Sequence, residues 1–293
     1  MAQYLLYRIG IWFSLNLPLG FAYWLASFVA MLQYMFCVKD RAAVVGNLSV
    51  ILSTSDKAVL HKHAKGVFIN FAKYLVDFFR FSVLNKKYIE KYIKIEGREN
   101  LFNAFKNKNG VIALTGHVGN WELSAVVTAY LGCSVNAVAL SHKDRRVNDF
   151  FIRQRESKGI KVVPMGVAVK RCFIALKNNE LIGLLGDRDF SGSGVAVEFL
   201  GKSVSIPKGP AMISLKSGAP IVPTFSIRQI DNTYKTIYLP PIYPVKTGNK
   251  EQDFLSLTKK CVSVIEDKIR EYPEQWFMFR EFWAEDANKV DIV

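Results

Sequence analysis

Val111-Ile112-Ala113-Leu114-Thr115-Gly116-His117-Val118-Gly119-Asn120-Trp121-Glu122 passes from an apolar run through two glycines into the start of a helix. Residues 111–115 have the length and composition of a buried strand, and Gly116 and Gly119 supply a tight turn. Asn120 is a good N-cap for a helix running through Leu131, because its short side chain can accept a hydrogen bond from an unsatisfied N–H of the first turn. His117 therefore belongs on a strand-to-helix loop. The spacing predicts that Glu122, in that first turn, reaches back to the imidazole and fixes its tautomer, leaving the other ring nitrogen to take a proton from a hydroxyl. His117 is then a general base and Glu122 its orienter.

Outward from this unit the chain alternates. Strands are predicted at Ile93 to Glu96, Val111 to Thr115, Val135 to Leu140, Lys161 to Val163, Leu181 to Leu185, Val195 to Phe199, Ile221 to Ser226 and Thr236 to Leu239, with helices between many of them. That order predicts an α/β fold: a mixed, mostly parallel central sheet flanked by helices, with active groups on loops at strand ends. Ser55 to Phe81 carries apolar residues at helical spacing, among them Leu60, Val67, Phe68, Phe71, Leu75 and Phe78, and is expected to be a long core-packed helix. Thr247 to Gln252 is expected to be an exposed polar turn.

The 293 residues, 50% of them hydrophobic, suffice for one large core plus an accessory piece. Lysine and arginine total 39 against 25 acids, a net charge of +14, which favours an anionic partner. From Ile9 to Val38 no side chain is charged, and about 20 helical residues span a bilayer. Residues 1–38 are accordingly expected to anchor the chain in a membrane, leaving 39–293 as the catalytic domain. Pro18 and Gly20 interrupt the segment, so it is either one kinked spanning helix or a hairpin embedded in one leaflet, with Lys39 and Arg41 at its cytoplasmic edge. A cleaved signal peptide fits poorly: the apolar part is too long and only Arg8 precedes it as a positive charge.

A second glycine-rich block, Gly186-Asp187-Arg188-Asp189-Phe190-Ser191-Gly192-Ser193-Gly194, follows another apolar strand. It lacks the lysine and spacing of a Walker or dinucleotide loop. Gly192 and Gly194 permit close approach of a ligand, and Asp187, Arg188 and Asp189 form either an ion-pair cluster or a site in which Arg188 binds a phosphate or developing oxyanion. His142-Lys143-Asp144-Arg145-Arg146, with Arg153, Arg155 and Lys158 beyond it, is the densest basic patch. It is either a clamp for a phosphorylated head group or acidic carrier protein, or one solvated helix face. Nucleic acid is disfavoured, since the aromatic residues lie in apolar runs and do not interleave with the basic ones. Cys37, Cys133, Cys172 and Cys261 have no paired spacing and read as reduced core residues. His61 and His63, two apart, diverge on a helix and read as surface residues, not metal ligands.

Taken together, the Gly116–Glu122 motif, the Asp187-Arg188-Asp189 block and Ala219-Pro220-Ile221-Val222-Pro223 resemble the bacterial lysophospholipid acyltransferase superfamily, most closely its lipid A biosynthesis (lauroyl/myristoyl) branch. The likeness runs to Pro273-Glu274-Gln275-Trp276, where that branch carries a related proline-aromatic motif. Glu122 after Asn120-Trp121 favours the lipid A branch over glycerolipid acyltransferases, whereas Asp187-Arg188-Asp189 also looks like relatives that acylate mannosylated phosphatidylinositol. The resemblance implies a glycerolipid acyltransferase-like fold at the cytoplasmic face of a bacterial inner membrane. It implies an acyl thioester donor on acyl carrier protein or CoA, a lipid A precursor or other glycolipid or phospholipid as acceptor, and no further cofactor or metal. His117 and Glu122 would be catalytic, and Asn120, Arg155, Asp187, Arg188, Asp189, Gly192 and Gly194 would contribute to substrate binding. A membrane lipid-binding protein that has lost activity is the alternative of another class.

Overall fold

A computed structural model describes residues 2–190 and 192–283. Elements follow in the order α1 (Ala2–Asn16), α2 (Leu19–Phe36), α3 (Val38–Ile51), α4 (Lys57–Phe79), α5 (Lys86–Tyr92), β1 (Ile93–Glu96), α6 (Arg98–Phe105), β2 (Val111–Thr115), α7 (Trp121–Tyr130) and β3 (Val135–Ala139). There follow α8 (Arg145–Glu156), β4 (Lys161–Pro164), α9 (Ala168–Lys177), β5 (Leu181–Leu185), β6 (Val195–Phe199), β7 (Lys202–Ile206), α10 (Gly209–Ser217), β8 (Ile221–Arg228), β9 (Tyr234–Tyr238) and α11 (Lys250–Glu271).

Seven strands form the central sheet in the order β1-β9-β8-β2-β5-β3-β4. Every pairing in it is parallel except β8 with β9, so the sheet is mixed as expected. Burial explains why β2 and β5 are nearly continuous apolar runs: helices cover both faces, and in the neighbouring β8 all eight residues are buried, Thr224, Ser226 and Arg228 included. The strand expected at Val195 to Phe199 exists but lies outside this sheet. It pairs antiparallel with β7, which was not anticipated, in a two-stranded ribbon. The predicted polar turn at Thr247 to Gln252 is half helix, since α11 begins at Lys250 with Asn249 as its N-cap.

The long helix of residues 55–81 is α4, capped by Asp56, whose side chain accepts from the N–H groups of Ala58 and Val59. The uncharged segment before it is two helices, α1 and α2, parted at Leu17-Pro18, where proline has no N–H to continue the first helix. α2 is bedded on α4 from end to end in antiparallel sense. Ala22 and Tyr23 pack with Val76, while at the other end Tyr34 meets Phe68 edge-on, with ring centroids 5.4 Å apart. His61, expected at the surface, is instead half-buried with its Nδ1 2.7 Å from the Tyr34 hydroxyl, and His63 pairs with Glu274. The cysteines are all free; Cys172 and Cys261 are buried, but Cys37 is exposed.

Candidate functional site

Strand register builds the site. β2 and β5 are parallel neighbours with Val111 opposite Leu181 and Thr115 opposite Leu185, a constant offset of 70 residues. Two residues beyond the carboxyl end of each strand stand His117 and Asp187, separated by the same 70. The ladder is prolonged by the Gly186 N–H donating to the Thr115 carbonyl at 2.8 Å. Loops at the carboxyl ends of parallel strands are the usual place for reacting groups in such sheets.

The ring Nδ1 of His117 lies 2.8 Å from Asp187 Oδ1, and the main-chain N–H of His117 donates to Asp187 Oδ2 at 2.8 Å. Trp276 Nε1–H also donates to Oδ2, at 3.0 Å. Three donors thus converge on one carboxylate that is fully buried. With Nδ1 as donor, Nε2 is the free lone pair, the tautomer a general base needs. Burial first, then the nearby Arg188 cation, lowers the His117 pKa below its ordinary value, although Asp187 opposes this, so the ring is neutral at pH 7. For Asp187, burial alone would raise the carboxyl, but His117 and then Arg188 hold it well below the usual carboxylate range.

The carboxylate that meets the His117 ring is therefore Asp187, where Glu122 was expected. Glu122 is indeed in the first turn of α7, but its carboxylate turns into the protein, where Arg155 takes both oxygens: Nε to Oε2 at 2.9 Å and Nη2 to Oε1 at 2.5 Å. A bidentate guanidinium outcompetes a single imidazole for a carboxylate. Arg155, for its part, does not sit on a solvated face of α8; this pair is buried, with 12% and 7% of the two side chains exposed.

Asn120 caps α7 as expected, its Oδ1 accepting from the Leu123 N–H at 2.9 Å. The loop it closes is held on both sides. Gly119 N–H donates to the Gln275 carbonyl at 2.8 Å, Asn120 N–H to the Ser226 carbonyl at 2.7 Å, and Phe277 N–H to the His117 carbonyl at 3.0 Å. Gly119 has φ +65°, and a Cβ there would run into the Ser226 carbonyl. Gly119→Ala is expected to cost more than about 1 kcal/mol from backbone strain alone and to reduce turnover. Thermal unfolding and initial rates on the same preparation check both.

The three members of the Asp-Arg-Asp block each have a partner elsewhere in the fold. Asp187 serves His117, Arg188 Nη2 donates to the Phe277 carbonyl, and Asp189 accepts from the Gly194 N–H at 2.7 Å and the Ser205 hydroxyl at 3.2 Å. Gly194 is demanded by that packing, since a Cβ would strike Asp189 and Ser205. Gly192 has φ +66° and open space around it. Ser191 of this block lies outside the described residues. Burial draws the Arg188 guanidinium down to about 10, which leaves it cationic at neutral pH, and its Nε is buried without a hydrogen-bond partner. Arg280, not singled out from the sequence, sits over the Phe190 ring at 5.7 Å, and the same ring faces His117 with centroids 6.5 Å apart.

The arrangement holds a neutral imidazole with a fixed tautomer, an anion to stabilise its protonated form, and guanidinium groups nearby. That set can deprotonate a hydroxyl and neutralise an oxyanion. The model of a family described as bacterial lipid A biosynthesis acyltransferase matches residues 1–285. The phosphatidylinositol mannoside acyltransferase of Mycobacterium tuberculosis (strain ATCC 25618 / H37Rv) is 24% identical over 249 residues, which cover 83% of this chain and 77% of that protein. The protein of the same name from Mycolicibacterium smegmatis (strain ATCC 700084 / mc(2)155) is 25% identical over 223 residues, covering 75% and 71%.

Proposed function

Because the chain belongs to the bacterial lipid A biosynthesis acyltransferase family and is an acyltransferase, we propose that it transfers a fatty acyl group from a thioester to a hydroxyl of a membrane glycolipid. The observation that carries this reading is the His117–Asp187 pair, with Nε2 left free to act. His117 removes the acceptor's hydroxyl proton as its oxygen attacks the thioester carbonyl, and Asp187 stabilises the imidazolium that forms. Collapse of the tetrahedral adduct expels the thiolate, which takes up the proton from His117. The acceptor is its own nucleophile, so no acyl-enzyme is required. Arg188, near enough to His117 to lower its pKa, is the cation we assign to the oxyanion, while Arg155 is committed to Glu122.

Lipid A precursors and mannosylated phosphatidylinositol share the feature the chemistry needs, a hydroxyl on a phosphorylated membrane glycolipid. The sequence Asp187-Arg188-Asp189 and the phosphatidylinositol mannoside relatives favour the mannosylated acceptor. Acyl carrier protein, itself acidic, is the donor that a chain of net charge +14 would attract best.

The anchor is read as lying in one leaflet of the inner membrane, with the site on the cytoplasmic side. α2 has the length and composition to cross a bilayer. Yet it is bedded on α4, which carries Lys57, Lys62, Lys65, Lys73 and Asp77, and spanning would drag those charges through hydrocarbon at about 2.5–3.5 kcal/mol each. The opposite side of α1 and α2 exposes Trp12, Phe21, Trp24 and Phe28 in the manner of an interfacial helix.

The test incubates membranes containing the full chain with acyl carrier protein, or in parallel CoA, bearing a labelled fatty acid, and a panel of acceptors. The panel comprises a lipid A precursor, mannosylated phosphatidylinositol, a lysophospholipid and glycerol phosphate. Label on a glycosylated lipid, absent with His117→Ala, is the expected result. Label only on the lysophospholipid or glycerol phosphate would overturn the acceptor class, and unchanged transfer by a folded His117→Ala protein would overturn the mechanism.

A further inference from the structure

Behind the loop that carries His117 lies a buried polar group that the reaction itself does not use. Asp77, on α4, is 4% exposed, and four side chains from other elements bear on it directly or through one neighbour. Its Oδ1 accepts from the hydroxyl of Tyr23, on the inner side of α2. Its Oδ2 accepts from Arg228 Nη2, at the end of β8, and from the Tyr234 hydroxyl of β9 at 2.5 Å. The Tyr234 oxygen in turn accepts from Asn120 Nδ2 at 3.3 Å. Asn120 is the residue that caps α7 and closes the catalytic loop, three positions after His117. An unbroken chain of hydrogen bonds therefore runs from the apolar helix to the active loop: Tyr23, Asp77, Tyr234, Asn120. Arg228 flanks it, with its guanidinium carbon 5.0 Å and 4.7 Å from the ring centres of Tyr23 and Tyr234.

Stability is a poor reason for such a group. Taking two charges out of water costs about as much as their attraction returns, and apolar residues of the same volume would fill the space as well or better. What a directional network supplies, and an apolar contact does not, is a fixed relative placement of the elements it joins. The elements joined here are α2, whose outer side presents Trp24 and Phe28, and the loop on which the proposed base stands.

We propose that Tyr23 and Asp77 are positioning residues, transmitting the seating of α2 to the loop that holds His117. The proposal rests on the reading of His117 as the base for its kinetic consequence, but not for its structural one. Tyr23→Phe is the informative variant, since it removes one hydroxyl while Asp77 keeps Arg228 and Tyr234. The full chain and this variant are compared on vesicles of phosphatidylcholine with phosphatidylglycerol. Vesicle binding is read by sedimentation, folding by Tm, turnover by kcat and KM, and loop geometry by the rate at which diethyl pyrocarbonate modifies His117, followed on its peptide by mass.

Vesicle binding is expected to be unchanged and Tm to stay within about 5 °C. A misplaced base is expected to lower kcat about 10-fold at constant KM, and the modification rate of His117 is expected to change with it. If kcat and modification both match the wild type, the coupling is absent. If vesicle binding falls and accounts for the lost turnover, Tyr23 is only part of the anchor. Should His117 prove not to be the base, turnover becomes uninformative about the loop, whereas the modification rate still reads it; an unchanged rate then overturns this proposal alone.

Discussion

Asp187→Asn is expected to lower kcat by about 10²–10⁴-fold while leaving the fold in place. The amide is isosteric and can still accept from the His117 N–H and from Trp276 Nε1, so the geometry around it has partners available. What is lost is the anion. Without it the imidazolium formed in the transition state has no counter-charge in a buried site, and nothing fixes the tautomer that leaves Nε2 free. The pH dependence follows from the same pair. Activity needs neutral His117, whose pKa lies below its ordinary value. Turnover is therefore expected to hold as the pH falls to about 6.5, the ordinary histidine value, and to decline only at lower pH. A pH profile of kcat/KM checks this; a midpoint above the ordinary histidine value would mean that the base is another group or that Asp187 dominates the ring's environment.

Glu122→Ala is expected to fail differently, by loss of stability. It strands the Arg155 cation in a site where both side chains are almost wholly covered. Removing one member of a buried pair costs about 3–5 kcal/mol, a large part of the 5–15 kcal/mol or so that a folded domain commands. A Tm depressed by roughly 10 °C, or outright failure to fold, is the anticipated outcome. The double variant Glu122→Leu with Arg155→Met decides between structure and chemistry. Recovery of both Tm and turnover assigns the pair a structural duty, whereas recovery of Tm with turnover still absent would mean that Glu122 or Arg155 meets the substrate.

The difference between these two carboxylates marks where sequence reading ran out. β2, the turn at Gly116 and Gly119, and the Asn120 cap are local, so composition and spacing specified them. Four strands, β1, β2, β5 and β6, have the expected bounds. The partner of His117 is not local: it is set by β2 and β5 lying side by side in a particular register, and a register offset of 70 residues has no periodic signature in the chain. Glu122 was near in sequence and chemically suitable, but Arg155, 33 residues on, was nearer in space. Trp276 belonged to a quoted motif, yet its indole N–H could be assigned to Asp187 only once the segment 275–277 was seen alongside the loop. β7 escaped because Lys202-Ser203-Val204-Ser205-Ile206 offers only two apolar residues in a short strand of a ribbon outside the main sheet. Asp77 and Arg228 were invisible for the opposite reason. Each is a lone charge within an apolar segment, and only their meeting in the core explains either.

The uncovered side of α1 and α2 has a thermodynamic consequence for anyone handling the protein. Trp12 and Trp24 remain 59% and 60% exposed in the folded chain, and on the proposed seating in a leaflet this shaped surface would take an amphiphile in the native state and not in the unfolded chain. By mass action, any such ligand raises the apparent melting temperature in proportion to the logarithm of its free concentration. The stability of this protein is then expected to be not a single number but a titration curve in detergent or lipid. Variants compared at different amphiphile concentrations are expected to differ by that term before their substitutions are counted.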